Sequence, residues 1–225
     1  MIPVSLATLD FAEMWPYRKI FINGLFNTLQ LTILALLIGL ALGLLLALVK
    51  VIKVPWLSLF ARFYTSVFRG TPLLVQIFLI YFGAKQIVGF NVNAFSSALV
   101  ALSLNSAAYI SEILRGGIQA VNIGQTEAAR SLGFNYRQSF FYVVLPQGLK
   151  SVLPAMVNEA ISLLKDTSLV STVGMMDLMR AGMTAQGGTY LAFEPFIIVA
   201  IIYYILVMIL TNFSNKLERN LNKSK

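Results

Sequence analysis

Long apolar runs separated by short polar stretches dominate the chain. From Ile20 to Val49 no residue is charged. A bilayer core needs about 20 apolar residues in helical form. Backbone groups in lipid must bond within their own segment, so this run predicts a membrane-spanning helix. The expected spans lie at about 22–49, within 57–84, and at about 94–114, 151–176 and 195–213. The stretch KVIKVPW (50–56) carries two lysines and a proline and predicts a turn, while Lys165 and Asp166 interrupt the fourth run. No heptad or short-unit repeat is evident. The pattern describes an all-α membrane protein in one domain: an interfacial segment at 1–19, a five-helix core over 20–215 holding a polar loop at 122–147, and a basic tail at 216–225.

Composition agrees with the pattern. Only 12% of residues are charged, against about 25% in soluble domains, and the mean hydropathy is +0.78. The net charge of +8 would suit nucleic acid or an anionic substrate. The basic residues cluster beside apolar runs, however, as they do in cytoplasmic loops of membrane proteins, so no nucleic-acid partner is expected. The chain has neither Cys nor His. Disulfides, thiolate or imidazole metal ligands, and Ser-His or Cys-His nucleophiles are thereby excluded. Asp10 and Glu13 precede the first basic residues, a start unlike a signal peptide.

Orientation follows from the loops. Lys50, Lys53 and Arg62 lie between spans one and two; Arg115, Arg130, Arg137 and Lys150 between three and four; Lys216, Arg219, Lys223 and Lys225 after five. The other loops hold only Lys85 and Arg180. The basic sides are expected in the cytoplasm, with the N-terminus outside and the C-terminus inside. Arg18 and Lys19 then fall outside, where an interfacial helix accommodates them.

The polar stretch EAARSLGFNYRQSFFYVVLP (127–146) is therefore a cytoplasmic loop. TEAARSLG predicts a short helix capped by Thr126, with Glu127 at its positive end, Arg130 nearer its negative end and Gly133 closing it in a left-handed conformation. Ala128 and Ala129 let another surface approach the backbone. NYRQSFFYVVLP predicts a second helix limited by Pro146, with Phe140, Phe141, Val143 and Val144 packing under the membrane helices. Two readings stand on these residues alone: a docking elbow, or an amphipathic loop packed on its own protein.

The order Glu127-Ala128-Ala129, Gly133, Val143, Leu145-Pro146 resembles the EAA loop of permease subunits of bacterial ATP-binding-cassette importers, with Val143 where isoleucine is usual. FRGTPLLVQ (68–76) and LLKDTSLVS (163–171) are similar to signatures of the polar amino-acid branch of that family, and the likeness runs from about 23 to 218. The resemblance implies a type I importer fold in the bacterial cytoplasmic membrane. It implies that the helix from Glu127 to Gly133 couples to a separate ATPase dimer, which binds ATP and magnesium. It also implies an extracytoplasmic amino-acid-binding protein and an amino-acid substrate. This chain carries no phosphate-cradling Gly-x4-Gly-Lys-Ser/Thr loop of its own, so it is not expected to be an enzyme or to hold a cofactor. Five helices make a thin wall for a polar pathway, so a second copy or a homologous permease is expected.

Ionisable groups inside spans are costly unless paired or facing water, which makes each a functional candidate. Asn105, Tyr109 and Glu112 share one face of the third span, with Ser106 beside them. Glu159, Ser162 and Asp166 share a face of the fourth, with Asn158 and Lys165 adjoining. Glu112, Glu159 or Asp166 suit a substrate ammonium; Lys165, Arg69 or a helix N-terminus suits its carboxylate. Bland alternatives stand beside each. Glu112 can pair with Arg115, Lys165 and Asp166 can join a structural ion pair, and Asn105 can bond across helices. In RGTP, Thr71 is a good cap and Pro72 a good first helical residue, so a helix starts or restarts there; Thr71 and Gln76 join the pathway candidates, and Arg69 either gates the pathway or snorkels. Gly39 and Gly43 form a small-x3-small packing pair. The runner-up function is an ion-driven secondary transporter of a small polar solute, which has no use for the loop at 127–146.

Overall fold

The computed structural model describes residues 9–52, 54–89 and 91–222. Lys53, Lys223, Lys225 and the start of the interfacial segment lie outside the described residues. Nine α-helices are present among those described: α1 (Arg18–Ile52), α2 (Pro55–Gly70), α3 (Leu73–Val88), α4 (Ala94–Gln119), α5 (Ile123–Ser131), α6 (Tyr136–Ser139), α7 (Leu145–Asp166), α8 (Leu178–Thr189) and α9 (Glu194–Asn222). A 3-10 turn, Ala12–Tyr17, leads directly into α1. Four helical stretches are long and apolar enough to cross a membrane: Ala12–Ile52, Ala94–Gln119, Tyr136–Val173 and Glu194–Leu221. The α2–α3 pair makes a fifth if the two halves, bent by 105°, are taken as one span.

The structure moves several expected boundaries. α1 continues through Lys50 to Ile52 rather than turning at Lys50; Val54 is extended, as proline requires of the residue before it. The second span is broken at Gly70–Pro72. Thr71 does not cap α3: its hydroxyl donates back to the Val67 carbonyl at 2.8 Å, and Pro72 holds the cap position without a side-chain bond. The fourth span begins at Tyr136, well before 151. Pro146 does not end its helix, because a π turn over Phe140–Val144 precedes it; the wider turn absorbs the proline's missing N–H and its clash with the preceding turn. Lys165 and Asp166 do not interrupt this span either, since α7 runs through both and continues as a 3-10 helix to Val173. The loop expected around Arg180 is helix α8, capped by the buried Asp177, which accepts from the N–H groups of Met179 and Arg180. α9 extends to Asn222, so most of the expected tail is helical.

The centre of the fold is the α1–α4 contact. The buried face of α1 carries Gly24, Thr28, Leu31, Ala35, Gly39, Gly43 and Ala47 at helical spacing, and α4 opposes it with Ala101, Ser106, Ala107 and Ile110. Lipid offers no hydrophobic drive for helices to associate, so close backbone approach and dispersion must supply it. A Cβ on Gly43 would sit 2.7 Å from Ile110 Cγ2, and one on Gly39 would sit 3.0 Å from Ser106 Cβ. The pair is thus a packing feature, as its spacing suggested. Gly43→Ala should destabilise the fold by about 1–3 kcal/mol through overpacking, whereas Gly70→Ala, with open space around its Cβ position, should change it by less than about 0.5 kcal/mol. Thermal midpoints of the two purified variants in detergent check this.

Candidate functional site

Two polar centres line the bundle, and the first is built around Glu112 on α4. Its Oε1 accepts from Lys50 Nζ at 2.7 Å, and its Oε2 accepts from Arg115 Nε at 3.0 Å and Nη2 at 2.6 Å. The Glu112–Arg115 pairing, one of the two readings of Glu112, is present. Lys50 was expected in a surface turn, yet its side chain is only 3% exposed. It also donates to Thr65 Oγ1 and Ser111 Oγ, so all three ammonium protons are used. One signal could have found it: Gly39, Gly43, Ala47 and Lys50 continue a single helical face. Arg69 approaches the same carboxylate at 3.9 Å and stacks over the Tyr109 ring at 5.3 Å. The Arg62 guanidinium has no ion pair or hydrogen bond among the described residues, and its carbonyl accepts from the Thr65 hydroxyl at 3.1 Å. A cavity of about 560 Å³ opens between Lys50, Arg62, Glu112 and Arg115, and a second of about 450 Å³ continues along Arg62, Ser66 and Arg69.

Next to this centre, the bend between α2 and α3 is locked by amides. Gln76 donates to the carbonyls of Phe68 and Thr71 and to the Thr71 hydroxyl, at 2.9–3.1 Å. Asn105 donates to Phe68 O at 3.2 Å and to Gln76 Oε1 at 3.0 Å. The carbonyls freed at a helix break need partners, and these two side chains provide them. Thr71, Gln76 and Asn105 therefore hold the corner together, with Asn105 bonding across helices.

The second centre joins α4 to α7. Ser106 Oγ donates to Glu159 Oε1 at 2.8 Å. Asp166 lies two turns on along the same face of α7, half-buried, and Lys165 is exposed. Neither joins a salt bridge among the described residues, so the structural ion pair considered for them does not form. Glu159 is brought together with Ser106, and Tyr109, 37% exposed, occupies the strip of α4 between the two centres.

At the end of the bundle, α5 is capped by the Asn122 side chain, which accepts from Gly124 N at 2.8 Å; Thr126 lies inside the helix and is not the cap. Gly133 takes φ +89°, and Gly133 N and Phe134 N bond to the carbonyls of Arg130 and Ala129. This double bond pattern closes the helix as a Schellman motif. Ala129 is buried, while Glu127, Ala128, Arg130 and Pro146 are exposed, with Leu132 81% and Ile123 74% exposed. Val144 packs inward and Phe141 stays 57% exposed, so only part of the aromatic run lies under the bundle.

The family described as "Binding-protein-dependent transport system inner membrane component" matches residues 39–223. The chain belongs to this family. The permease is 45% identical over 216 residues, spanning 96% of its own length and 99% of its relative's, to the arginine transport system permease protein ArtQ of Bacillus subtilis (strain 168). A crystal structure of an amino acid ABC transporter with histidines superposes on it with a TM-score of 0.91 at 46% identity, covering 95% of this chain and 99% of the other. The methionine ABC transporter MetNI in inward-facing form gives a TM-score of 0.74 at 20% identity over 95% of this chain and 99% of the other, a likeness of fold alone.

The buried charges of this permease make a direct test of the first centre possible. Glu112→Gln leaves the buried Lys50 ammonium uncompensated and should destabilise the fold by about 3–5 kcal/mol. Lys50→Met combined with Glu112→Gln should be less damaging than the sum of the two single changes. Heat-resistant folded fraction in detergent, measured for all three variants, checks the coupling.

Proposed function

We propose that the chain is the permease subunit of an ATP-driven importer of a polar amino acid. The observation that carries this reading is α5, a capped and exposed helix at the end of the bundle, in a chain of the binding-protein-dependent transport family. In this reading α5 is the coupling helix. Glu127, Ala128, Arg130, Gly133 and the exposed Leu132 meet a groove on a separate ATPase dimer, which binds ATP and magnesium. The π turn and Pro146 join α5 rigidly to α7, so movement of α5 is passed to the membrane helices. The basic ends of α1, α4 and α9 face the cytoplasm of a bacterial inner-membrane protein whose N-terminus is outside. A binding protein on the outer side delivers the amino acid, and a second permease copy or homologue completes the pathway. The relatives named for arginine and for amino acids support this class of substrate.

The substrate centre is assigned to Glu159, Asp166 and Lys165, with Ser106 positioning Glu159 and Tyr109 at its edge. Glu112 is a poor ligand because Lys50 and Arg115 already occupy both of its oxygens. In this reading Glu159 and Asp166 hold a substrate ammonium, and Lys165 its carboxylate. An ion-driven carrier would also use buried acids, but the exposed α5, closed at Gly133, has no task in it.

Two variants test the reading in source cells lacking the native gene, by uptake of radiolabelled amino acids. Glu127→Lys should insert at normal levels and fail to restore uptake; full restoration would remove the coupling assignment. Glu159→Gln should lower uptake by about tenfold or more, the loss of a charged hydrogen bond. Uptake unchanged by Glu159→Gln would move the substrate elsewhere.

A further inference from the structure

The cavity beside Glu112 holds more cationic capacity than its one carboxylate uses. Lys50 is saturated by Thr65, Ser111 and Glu112. Arg115 uses three of its five N–H donors on Glu112 and Gln119. Arg62 faces the same cavity with none of its donors bound among the described residues. Lys50, Arg62 and Arg115 set against Glu112 give the cavity wall a net charge of about +2, and among the described residues Arg62 has no acidic partner. Guanidinium groups with free donors in a partly enclosed cleft recognise planar or tetrahedral oxyanions.

The surroundings of Arg62 select among such anions. On α2, Leu59 and Phe63 lie next to Arg62 around the helix, and they are 56% and 67% exposed. Trp56, one turn nearer the start of α2, is 81% exposed, as suits a side chain at the boundary between lipid and water. An anion seated at Arg62 therefore has, beside the cavity and outside its wall, an apolar strip that a soluble ion would not use. The substrate carboxylate is a poorer fit. Ser106, which marks the substrate centre, is roughly 120° around α4 from Glu112. Arg69 is about 10 Å further along α2 than Arg62, and its guanidinium already lies on Tyr109.

We propose that this cleft binds the phosphodiester headgroup of an anionic phospholipid, with Arg62 and the free donors of Arg115 on the phosphate and the acyl chains along Leu59 and Phe63. Basic pockets between membrane helices on the cytoplasmic side are suited to such headgroups. The placement in the cytoplasmic leaflet rests on the orientation proposed above. The cleft adjoins a smaller cavity of about 200 Å³ that shares Lys50 and Gln119 and is walled by Thr126 and Tyr136 of the α5–α6 elbow. A lipid bound here therefore sits against the element proposed to couple with the ATPase.

Native mass spectrometry of the purified full chain, released from micelles holding equal phosphatidylglycerol and phosphatidylcholine, tests the site. The unaltered chain should retain phosphatidylglycerol preferentially. Arg62→Gln should cut that preference about tenfold, and since the Arg62 guanidinium makes no bond among the described residues the variant should still be folded. Lys150→Gln removes the same charge from an exposed position of α7 and should keep the preference. An Arg62→Gln variant that keeps the preference, or equal loss in both variants, would overturn the site. Displacement of the lipid by excess free glycerol phosphate would overturn the lipid as its occupant. This readout does not depend on which leaflet the cleft faces. A reversed orientation would appear in sidedness labelling of intact cells and would leave the lipid preference untouched.

Discussion

A charge inside a bilayer must find an opposite charge or water, and in this chain Glu112 meets that demand for three helices at once. It takes Lys50 from α1 and Arg115 from its own helix, and it draws Arg69 of α2 to 3.9 Å. The lysine can reach it only because Gly39, Gly43 and Ala47 let α1 lie close against α4. The corner between α2 and α3 then falls beside α4, where Asn105 and Gln76 absorb the carbonyls that the break exposes. Packing by small residues and pairing of charge are thus one construction: the first brings the helices near enough for the second to be satisfied.

That construction divides the polar residues of the bundle by task. Groups whose bonding capacity is filled by the fold, such as Lys50, Glu112, Gln76 and Asn105, hold helices. Groups with capacity left over face cavities or exposed surface, among them Asp166, Lys165 and Arg62. Glu159 is intermediate, with one oxygen held by Ser106. The fold therefore offers an acidic centre between α4 and α7 and a basic cleft between α1, α2 and α4, on different strips of the same helix.

Much of this was legible in the sequence because its signals are local. Apolar runs marked the spans, Gly133 required its left-handed closure, and Glu112–Arg115 followed from helical spacing. The motifs at 68–76, 127–146 and 163–171 pointed to the family. What was missed depends on contacts between distant segments. Lys50 looked like a loop residue because only the opposing Ser111 and Glu112 make its burial tolerable. Thr71 and Thr126 were plausible caps, but Asn122 caps α5, and at α3 first-turn N–H groups turn to the Pro72 carbonyl while Gln76 serves the carbonyls at the end of α2. Pro146 reads as a terminator in isolation; the π turn that carries the helix past it is a property of the five residues before it. Helix α8 is short and mixed in polarity, and it is stabilised by Asp177 together with the Thr28 hydroxyl, which accepts from Leu178 N at 3.0 Å.

The central claim is that a separate ATPase drives transport through this chain. The most direct measurement is amino-acid uptake into proteoliposomes holding this permease, its ATPase and its binding protein, with ionophores present to abolish ion gradients. The account predicts uptake that requires ATP on the ATPase side and is indifferent to the ionophores. Uptake by the chain without its ATPase, driven by an imposed proton or sodium gradient, would contradict it.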